Sequence, residues 1–505
     1  MAADPGTLAP LLRARAAARG GHPLLVCDDE KLSYAEAERR SAALARILLA
    51  RGIGRGDHVG VLHPNGPRFV VAAFAAARIG AVTVGFSTLA APAELRYQIG
   101  HSDITLMLAT PAFRGNDYRR RLAEAAPELP VCFDLDAPAP AAGPDALAAA
   151  EAAVTPEDPM ALIYTSGSTG NPKGVLLGQA GLLAQQRRLN AVRGLTAADR
   201  LFCNSPFCWV GGFAFALLAT LTAGATLICS NATDPSATLD LLERERPTVG
   251  NGFAAGVAQL ARHPSFAGRD LSTLRRGNLY PLMPAELRPA DPALRHNLLG
   301  MTEAGSVVLI DGDERDQPEH RRGSFGRPAP GFEATVLDPR TGGPVPVGAP
   351  GELCLRGPYL MQGYHRVPRA DCFDADGWFH TGDLVRTDPD GYYYFLGRRG
   401  AMIKTAGANV SPTEVQDAVL RLLGDAAAVY VLGLPDAERG ELVAAVIATE
   451  DPAGVDLPAL RAALRRELSA YKVPRRFLLC RPAEIPLLAS GKPDLPALRG
   501  LLADS

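Results

Sequence analysis

Hydrophobic positions near the start of the chain alternate between helical and strand-like spacing. Residues 33–36 form a Ser-x-x-Glu capping box, which predicts the start of a helix that ends before Gly52. Residues 57–62 and 104–108 have the pattern of strands, and the apolar segment 69–79 between them predicts a helix. Alternation of strands and helices predicts a parallel sheet with helices on both faces.

The same alternation resumes in the middle of the chain. Residues 136–154 are mostly Ala and Pro and predict a loop with a weak helix. From residue 311 to 328 the chain is charged and contains Gly and Pro, which predicts a surface loop, and short strands separated by Gly and Pro between 332 and 355 predict a small β subdomain. Between these regions the pattern predicts helices near 179–191, 213–222 and 236–246 and strands near 201–204 and 225–229.

A smaller domain is predicted beyond a boundary at residues 397–400. Residues 411–414 form a second capping box, with proline at the first helical position. The segments that follow predict strands at 427–432, 442–448 and 475–480 and a helix at 457–469. The predicted fold class is therefore α/β: an N-terminal domain (1–397) of helix-flanked, mostly parallel sheets with a small β subdomain, a hinge (398–400) and an α+β C-terminal domain (401–505).

Length and composition narrow the class of protein. A chain of 505 residues is too long for one hydrophobic core, so at least two domains are expected. The 52 basic and 54 acidic residues leave a net charge of −2, which favours neither nucleic acid nor a membrane surface as a partner. The eight cysteines contain no Cys-x-x-Cys pair, and the chain has neither a leader-like N-terminus nor 18 consecutive apolar residues, so we expect a cytoplasmic enzyme without a membrane span.

The stretch with the clearest chemistry is Thr165-Ser166-Gly167-Ser168-Thr169-Gly170-Asn171-Pro172-Lys173-Gly174. Its glycines let backbone N–H groups turn toward an anion, and its hydroxyls and lysine add donors, as in a loop that binds a polyphosphate. It is not a Walker A loop, because Pro172 stands where the second glycine of that motif belongs. A flexible linker has a similar composition, but a linker has no need to follow the apolar run 161–163 or to end in Pro-Lys-Gly.

This loop resembles the signature of the adenylate-forming superfamily, which includes acyl-CoA synthetases, aryl-CoA ligases, luciferase-type enzymes and the adenylation domains of peptide synthetases. Later segments resemble further motifs of that superfamily in the same order: Gly300-Met301-Thr302-Glu303, Thr381-Gly382-Asp383-Leu384, Gly397-Arg398-Arg399 and Pro486-Leu487-Leu488-Ala489-Ser490-Gly491-Lys492. The resemblance covers nearly the whole chain and implies an AMP-forming acyl-CoA synthetase that uses ATP, Mg²⁺ and coenzyme A.

The resemblance also implies roles for the N-terminal motifs. Thr302 meets the α-phosphate and Glu303 holds Mg²⁺, while Leu299, Gly300 and Met301 lie along the nucleotide. Asp383 accepts hydrogen bonds from both ribose hydroxyls, and Arg398 lies on the ribose side. The residues expected at the β- and γ-phosphates are Thr165, Ser166, Gly167, Ser168, Thr169, Gly170 and Lys173.

In the C-terminal domain, the resemblance implies two states. In the first state, Lys492 bridges the acyl carboxylate and the α-phosphate during adenylation. The mobile domain then swings about Gly400, which removes Lys492 and brings in the loop around Gly407, where the absence of a side chain leaves room for the pantetheine arm of coenzyme A. One cavity would thus serve adenylation and then thioester formation.

Two positions around the nucleobase depart from the superfamily pattern. Leu299 stands where an aromatic residue usually stacks on adenine, and the segment Asn278-Leu279-Tyr280-Pro281 replaces the usual Gly-Gly-Ala-Pro. The missing stack would contribute about 0.5–1.5 kcal/mol beyond burial. Either the pocket has been repacked through ordinary drift, or the ATP half-reaction is weak or lost while thioesterification survives.

The predicted acyl pocket contains Trp209, Gly211 and Tyr280. Trp209 stands where a histidine is usual, and it serves either as a gate or wall of the acyl tunnel or as an ordinary core tryptophan. No charged residue surrounds it in the sequence, so an apolar acyl group is expected. The glycine at the hinge, Gly400, replaces the usual Asp or Lys and makes the hinge more permissive.

The leading hypothesis is a ligase that forms an acyl-CoA from a hydrophobic carboxylic acid through an acyl-adenylate. One alternative is an enzyme that only transfers a preformed acyl-adenylate, supplied by a separate adenylating partner, onto coenzyme A. Another is the loading of a free carrier protein. The presence of Lys492, Glu303 and Asp383 argues against a non-catalytic relative.

Overall fold

The computed structural model describes residues 6–90, 92–165, 172–252, 259–398, 403–405, 408–410, 412–424, 427–436, 439–468, 470, 472–488 and 491–504. Only the backbone is described for Ala93, Arg398, Lys404, Ala408, Asn409, Glu414 and Asp504. The chain divides into two compact units. The first unit comprises Met1–Glu333 with Arg356–Gly377, and the second comprises Ala334–Leu355 with Trp378–Ser505.

The strands and helices have the following bounds. The strands are β1 (Pro23–Cys27), β2 (Glu30–Ser33), β3 (His58–Leu62), β4 (Val82–Gly85), β5 (Ile104–Ala109), β6 (Ala112–Phe113), β7 (Asn116–Asp117), β8 (Val131–Cys132), β9 (Pro159–Thr165), β10 (Lys173–Gly178), β11 (Arg200–Phe202), β12 (Thr226–Cys229), β13 (Val249–Gly250), β14 (Arg276–Gly277), β15 (Leu299–Met301), β16 (Ser306–Ile310), β17 (Arg327–Pro328), β18 (Glu333–Leu337), β19 (Gly351–Arg356), β20 (Gly363–Tyr364), β21 (Phe379–Thr387), β22 (Tyr393–Arg398), β23 (Ile403–Thr405), β24 (Ala408–Val410), β25 (Ala427–Asp436), β26 (Gly440–Thr449) and β27 (Arg476–Cys480). The α-helices are α1 (Leu8–Arg19), α2 (Tyr34–Ala50), α3 (Pro67–Arg78), α4 (Pro92–His101), α5 (Tyr118–Ala125), α6 (Pro144–Ala153), α7 (Gln179–Val192), α8 (Ala219–Ala223), α9 (Pro235–Glu245), α10 (Pro412–Leu423), α11 (Leu457–Glu467) and α12 (Leu495–Asp504). Short 3₁₀ turns lie at Pro264–Gly268, Tyr280–Leu282, Ala285–Leu287, Pro292–Leu294, Thr302–Ala304, Glu319–Arg321, Arg369–Asp371, Pro452–Gly454 and Pro482–Glu484.

The first unit is built on two large sheets. One has the strand order β14-β13-β11-β12-β1-β2, and all its neighbouring strands are parallel except the β1–β2 pair. The other has the order β20-β10-β9-β4-β3-β5-β8, with parallel pairing from β9 to β8 and antiparallel pairing at β9–β10 and β10–β20. A small antiparallel sheet is formed by β15, β16 and β17. These mostly parallel sheets confirm the predicted α/β class.

Helix α3 shows why the two large sheets form one unit. It packs against β3 and β4 of one sheet and β2 of the other, and nearly all its side chains from Phe69 to Arg78 are buried. An alanine-rich helix with apolar residues on every side is suited to such a buried position. The neighbouring helix α2 begins as predicted, with the Ser33 side chain accepting from the Glu36 backbone and the Glu36 side chain accepting from the Ser33 backbone.

The structure differs from the sequence prediction at 213–222, where one apolar α-helix was expected. A π-helix occupies Gly211–Leu218 and continues into α8. A Cβ at Gly212 would lie 2.1 Å from the carbonyl oxygen of Pro206, so this close approach requires glycine. Over so few turns, hydrophobic spacing does not separate a π-helix from an α-helix, although π-helical turns are frequent at functional sites.

The second unit contains two mainly antiparallel sheets, in one of which β26 and β27 pair in parallel. Strands β18, β19, β21 and β22 form the predicted small β subdomain, and β23 to β27 form the sheet of the α+β region. The five-stranded sheet buries one core with α10 and α11, which includes Val415, Val419, Ile447 and Leu464. The predicted boundary at 397–400 stays a prediction, because residues 399–402 lie outside the described part of the chain.

None of the described helices is both long enough and apolar enough to span a membrane. The buried hydrophobic side chains pack between the helices and the sheets of each unit.

The buried His63 links stability to pH. It follows β3, is 4% exposed, and its Nε2 has no hydrogen-bond partner among the described residues. Burial, with a smaller contribution from Arg68, lowers the pKa of His63 from 6.5 to about 4. Below pH 6.5 the unfolded chain therefore binds a proton at His63 that the folded chain does not bind until about pH 4. The free energy of unfolding is highest above pH 6.5 and decreases progressively as the pH falls toward 4.

We expect the variant His63→Gln to lose less stability on acidification than the wild type. Between pH 6.5 and 5 the difference in unfolding free energy should reach about 2 kcal/mol, since each pH unit in this window contributes about 1.4 kcal/mol. Urea denaturation at several pH values measures the free energy of unfolding of each protein. The control is His320→Gln, which replaces an exposed histidine. Equal pH slopes for wild type and His63→Gln would contradict the assignment.

Candidate active site

The predicted phosphate loop connects two antiparallel strands of the seven-stranded sheet. Strands β9 and β10 pair in a register that sets Thr165 opposite Lys173, so both ends of the loop are held at one edge. The Tyr97 hydroxyl donates to the carbonyl oxygen of Pro172 at 3.1 Å and holds the second end. The structure thus brings Thr165 and Lys173 together, whereas the predicted residues Ser166, Gly167, Ser168, Thr169 and Gly170 lie outside the described residues.

A 3₁₀ turn after β15 carries the next two predicted residues, Thr302 and Glu303. Gly305 ends the turn with a φ of 68°, which favours glycine. The buried Gln185 donates from Nε2 to the carbonyl oxygen of Ala304 at 2.9 Å. Glu303 is 8% exposed, so packing restricts its carboxylate to few orientations.

Tyr364 joins these two segments, and sequence reasoning missed it. It lies on β20, which pairs with β10 and sets Tyr364 opposite Val175. Its hydroxyl donates to Oε1 of Glu303 at 2.9 Å, and Nζ of Lys173 lies 4.7 Å from the centroid of its ring. The described fold therefore places the predicted phosphate lysine and the predicted metal ligand on one tyrosine side chain. No spacing rule singles out this residue, because the contact depends on the β10–β20 pairing.

The surroundings of Glu303 fit a divalent cation. Mg²⁺ binds carboxylate oxygens and retains several waters, so one protein carboxylate together with substrate phosphates is a typical donor set. Among the described residues Tyr364 is the donor to Oε1, and no Lys or Arg side chain forms an ion pair with Glu303. The second oxygen can therefore bind a cation while the first keeps the carboxylate oriented.

The predicted nucleobase side is aliphatic. Leu299 is half-buried on β15 opposite Leu309, and Met301 is buried. A Cβ at Gly300 would lie 3.1 Å from the carbonyl oxygen of Ser306, so the two strands pack closely here. The structure places Leu299, Gly300 and Met301 on one short strand that leads directly into the Thr302 turn.

Tyr280 opens a 3₁₀ turn at the end of the six-stranded sheet. Its ring packs against a buried cluster that includes Phe202 and Leu282, and the guanidinium of Arg295 lies 6.0 Å from its centroid. Burial raises the pKa of the Tyr280 hydroxyl, which therefore stays neutral. Tyr280 thus contributes to the packing of this sheet as well as standing at the predicted pocket.

The segment before the π-helix is anchored from another element. The side-chain amide of Asn65 donates to the carbonyl oxygen of Ser205 at 3.0 Å and accepts from the backbone N–H of Phe207 at 2.8 Å. This fixes the chain that leads to the half-buried Trp209. The carbonyl oxygen of Trp209 accepts from the N–H of Phe213 at 2.8 Å, an α-helical type of bond that leads into the π-helix.

The side chains beside Trp209 are neutral. Burial raises the pKa of the Cys208 thiol to about 12, so it carries no charge at neutral pH. The π-helix begins at Gly211 and continues with Phe213, Ala214 and further apolar residues, most of them buried. The structure therefore places Trp209 and Gly211 at the start of a π-helix whose own side chains are apolar.

Asp383 lies in the second unit on β21, 6% exposed and opposite Arg398 on β22. Gly382 has a φ of 75°, which permits the local turn. Thr381 Oγ1 accepts from the backbone N–H of Asp383 at 3.0 Å, and Glu352 Oε1 accepts from that of Gly382 at 2.9 Å. Neighbouring side chains of the same sheet therefore fix the backbone that presents Asp383.

A cluster of polar side chains supports this turn. Nδ1 of His380 lies 3.4 Å from Sγ of Cys354 and 3.3 Å from Oε2 of Glu352. Cysteine spacing alone indicated no such group, because β19 and β21 bring these residues together across the sheet. Since Glu352 also accepts from Gly382, we interpret the cluster as a support of the predicted ribose-binding segment.

Lys492 lies in a short hairpin of the second unit. The backbone N–H of Leu488 donates to the carbonyl oxygen of Lys492, and that of Gly491 donates to the carbonyl oxygen of Leu488, both at 2.8 Å. The hairpin closes with a bridge between Leu487 and Pro493. The side chain of Lys492 is exposed, so its ammonium is available for a ligand. Three further predicted positions, Gly400, Gly407 and the side chain of Arg398, lie outside the described residues.

Comparisons with known proteins show the family of the chain. The model of the family AMP-binding enzyme matches residues 12–365, and that of the AMP-binding enzyme C-terminal domain matches residues 414–492. The sulfoacetate–CoA ligase of Cupriavidus necator is 33% identical over 96% of both chains, and a feruloyl-CoA synthase of Amycolatopsis is 33% identical over 91% of this chain and 92% of its own. Among solved structures, ATP-bound MatB from Rhodopseudomonas palustris has a TM-score of 0.81 and 26% identity, with 98% of this chain and 99% of that chain covered.

Proposed function

This chain belongs to the AMP-binding enzyme family, the AMP-forming acid–CoA ligases, and we propose that it forms the CoA thioester of a carboxylic acid with an apolar acyl body. The reaction runs through an acyl-adenylate. In the first step a carboxylate oxygen of the acid attacks the α-phosphorus of ATP, and pyrophosphate leaves. In the second step the thiol sulfur of coenzyme A attacks the acyl carbon, its proton is released, and AMP leaves.

The observation that carries the proposal is the meeting of Lys173 and Glu303 at Tyr364. Attack on ATP concentrates negative charge on the phosphates, and catalysis depends on positioned cations and donors that meet this charge. Lys173 supplies an ammonium for the β- and γ-phosphates, and Thr302 supplies a hydroxyl for the α-phosphate. Glu303 would hold Mg²⁺, which supplies charge neutralisation on the phosphates when bound.

The residues assigned to the second unit complete the proposed machinery. Asp383 accepts from the ribose hydroxyls, because a buried carboxylate fixed on β21 has acceptor capacity for both. Lys492 bridges the acyl carboxylate and the α-phosphate during adenylation, and Gly407 leaves room for the pantetheine arm afterwards. Rotation at Gly400 exchanges these two segments.

The apolar π-helix after Trp209 favours a substrate with an apolar acyl body. Cys208 is neutral, and the π-helix from Gly211 presents apolar side chains to its surroundings. A concave, mostly apolar surface with few polar groups is typical of a site that binds an organic ligand. The relatives do not select the acid, since one is named for sulfoacetate and another, equally identical, for a feruloyl group.

A second candidate function is favoured by Leu299, the half-buried aliphatic residue at the predicted adenine position. Without an aromatic stack, the enzyme would use an acyl-adenylate supplied by a separate adenylating enzyme and would perform thioester formation alone. The thiol acceptor in that case is coenzyme A or a free carrier protein.

The proposed function is tested by product formation from free acids. Aliphatic, aromatic and polycyclic acids are each incubated with ATP, Mg²⁺ and coenzyme A, and acyl-CoA and AMP are measured by mass spectrometry. The proposal expects both products in equal amounts with at least one class of acid. Acyl-CoA formed only from presynthesised acyl-adenylate would favour the second candidate, and acyl transfer only to a carrier protein would identify the thiol acceptor as a protein.

We expect Tyr364→Phe to slow adenylation by about 10- to 100-fold, because a hydrogen bond to a charged group contributes about 1.5–3 kcal/mol. The ring face near Lys173 remains, so the loss reports the hydroxyl and not the contact between the Lys173 ammonium and the ring. The requirement for Mg²⁺ should rise in parallel. Pyrophosphate release at several Mg²⁺ concentrations measures both effects.

The matched control is Tyr359→Phe. The Tyr359 hydroxyl accepts from Nε of Arg188 at 3.1 Å, and Tyr359 is not among the residues proposed to contact the phosphates. Equal losses in the two variants would mean that Tyr364 acts only through general packing.

A further inference from the structure

Arg193 is a half-buried residue whose positively charged guanidinium lies beside the π-helix. It is the C-cap residue of α7, and Nη2 donates to Oδ1 of Asn190 at 3.2 Å and to the carbonyl oxygen of Phe215 at 3.0 Å. Its guanidinium also lies 4.0 Å from the centroid of the Phe215 ring. Nε and Nη1 are buried and have no acceptor among the described residues.

This charge has no counter-ion in the described part of the first unit. The nearby Arg276 is itself a cation and pairs with Asp199, which also pairs with Arg275. Burial is the main cause that lowers the pKa of Arg193 to about 10, so the side chain stays charged at neutral pH. The internal segments of this unit that are not described, 166–171 and 253–258, contain no acidic residue that could supply the missing charge.

Such an arrangement is costly unless something compensates it. A buried cation whose donors lack acceptors is strongly destabilising, and replacement by an apolar residue is often neutral or stabilising. The aromatic face of Phe215 offsets part of this cost, but it accepts nothing from Nε or Nη1. A ligand that brings negative charge to these donors would compensate the rest.

The position of Arg193 points to the acyl substrate as that ligand. Phe215 belongs to the π-helix that begins at Gly211, and Nη1 of Arg276 donates to the carbonyl oxygen of Arg193 at 2.7 Å. Arg276 lies on β14, four residues before Tyr280. Arg193 therefore contacts both segments that carry predicted acyl-pocket residues: it contacts Phe215 in the segment after Trp209, and Arg276 in the segment before Tyr280. Cys203 lies near Arg193 and follows the carboxyl end of β11, the end of parallel strands at which ligands bind.

We propose that Arg193 binds an anionic group, a carboxylate or a sulfonate, at the far end of the acyl substrate. The substrate is then a bifunctional acid: one carboxylate is activated near Trp209, an apolar body follows the π-helix, and a second anion reaches Nε or Nη1 of Arg193. This inference rests on the proposed ligase function and specifies its substrate class.

The first test compares acids matched in length. Monocarboxylates of three to eight carbons are assayed for acyl-CoA formation beside the α,ω-dicarboxylates of the same lengths and an ω-sulfonate of the best length. The wild type should favour the dicarboxylate or sulfonate in kcat/KM by roughly 10- to 100-fold at one length, the worth of one charged hydrogen bond. A preference for the monocarboxylate at every length would overturn the proposal.

The second test uses Arg193→Met, with Arg188→Met on the same helix as the matched control. Arg193→Met should lose the preference for the anionic acid through an increase in KM, keep its kcat/KM for the monocarboxylate, and unfold at the same or a higher temperature. Arg188→Met should keep the preference. Equal losses for both acids together with a lowered melting temperature in Arg193→Met would show a purely structural arginine.

A binding measurement separates failure of this inference from failure of the ligase function. Without ATP or coenzyme A, the best-matched dicarboxylate, or glutarate when no acid reacts, should raise the melting temperature of the wild type but not of Arg193→Met. An equal shift in both proteins, or no shift in either, would overturn the proposal whether or not the enzyme forms thioesters.

Discussion

Replacing Lys492 with alanine is expected to slow acyl-adenylate formation by about 10²–10³-fold, the usual effect of removing one positioned electrostatic group. Thioester formation from a presynthesised acyl-adenylate should change by less than about twofold, since the lysine acts while the carboxylate attacks the α-phosphorus and has no part in the thioester step. The hairpin should remain folded, because its bonds run through the backbone of Leu488, Gly491 and Lys492, and the side chain is exposed.

The two half-reactions of Lys492→Ala are measured separately. Pyrophosphate release from acid and ATP reports adenylation, and acyl-CoA formed from the synthetic adenylate reports thioesterification. Arg465→Ala, which removes an exposed cation elsewhere in the second unit, is the control and should affect neither. Equal slowing of both half-reactions would contradict a role confined to adenylation.

The variant Glu303→Gln is expected to lose adenylation by a similar factor of about 10²–10³. Glutamine keeps the shape of the side chain and an oxygen that can accept from the Tyr364 hydroxyl, so the turn at Thr302–Ala304 should persist. What it removes is the negative charge that a hard divalent cation requires. The loss should be partly recovered by raising Mg²⁺, because the weakened site is then filled by mass action.

A readout independent of turnover accompanies this variant. Binding of Mn²⁺ in the presence of ATP, followed by electron paramagnetic resonance, should weaken in Glu303→Gln and stay unchanged in Glu286→Gln, which neutralises an exposed acid of the first unit. Unaltered Mn²⁺ binding in Glu303→Gln would mean that this carboxylate is not the metal ligand.

Local sequence patterns predicted much of the fold. The capping box at Ser33 defined the start of α2, and the apolar runs at 57–62 and 104–108 correspond to β3 and β5. These features depend on interactions within a few residues, so they can be read without knowing the rest of the chain. The order of strands and helices also sufficed to predict parallel sheets, since parallel neighbours need a crossover between them.

Features that depend on distant contacts could not be predicted. Tyr364 reaches Glu303 because β20 pairs with β10, and Arg193, which has no carboxylate partner among the described residues, contacts Phe215 of the π-helix. The π-helix includes the close contact between Gly212 and Pro206, which hydrophobic spacing does not reveal. Side-chain chemistry at these positions is ordinary in the sequence and becomes informative through its partners.

Because Leu299 stands at the predicted adenine position, the central claim to test is that the enzyme activates its own acid. The direct measurement is the exchange of radiolabelled pyrophosphate into ATP, with an acid that the enzyme converts to a thioester and without coenzyme A. We expect exchange that requires both the acid and Mg²⁺ and that Lys492→Ala slows by about 10²–10³-fold. Absence of exchange, while acyl-CoA still forms from the presynthesised adenylate, would contradict it and assign the adenylation step to another enzyme.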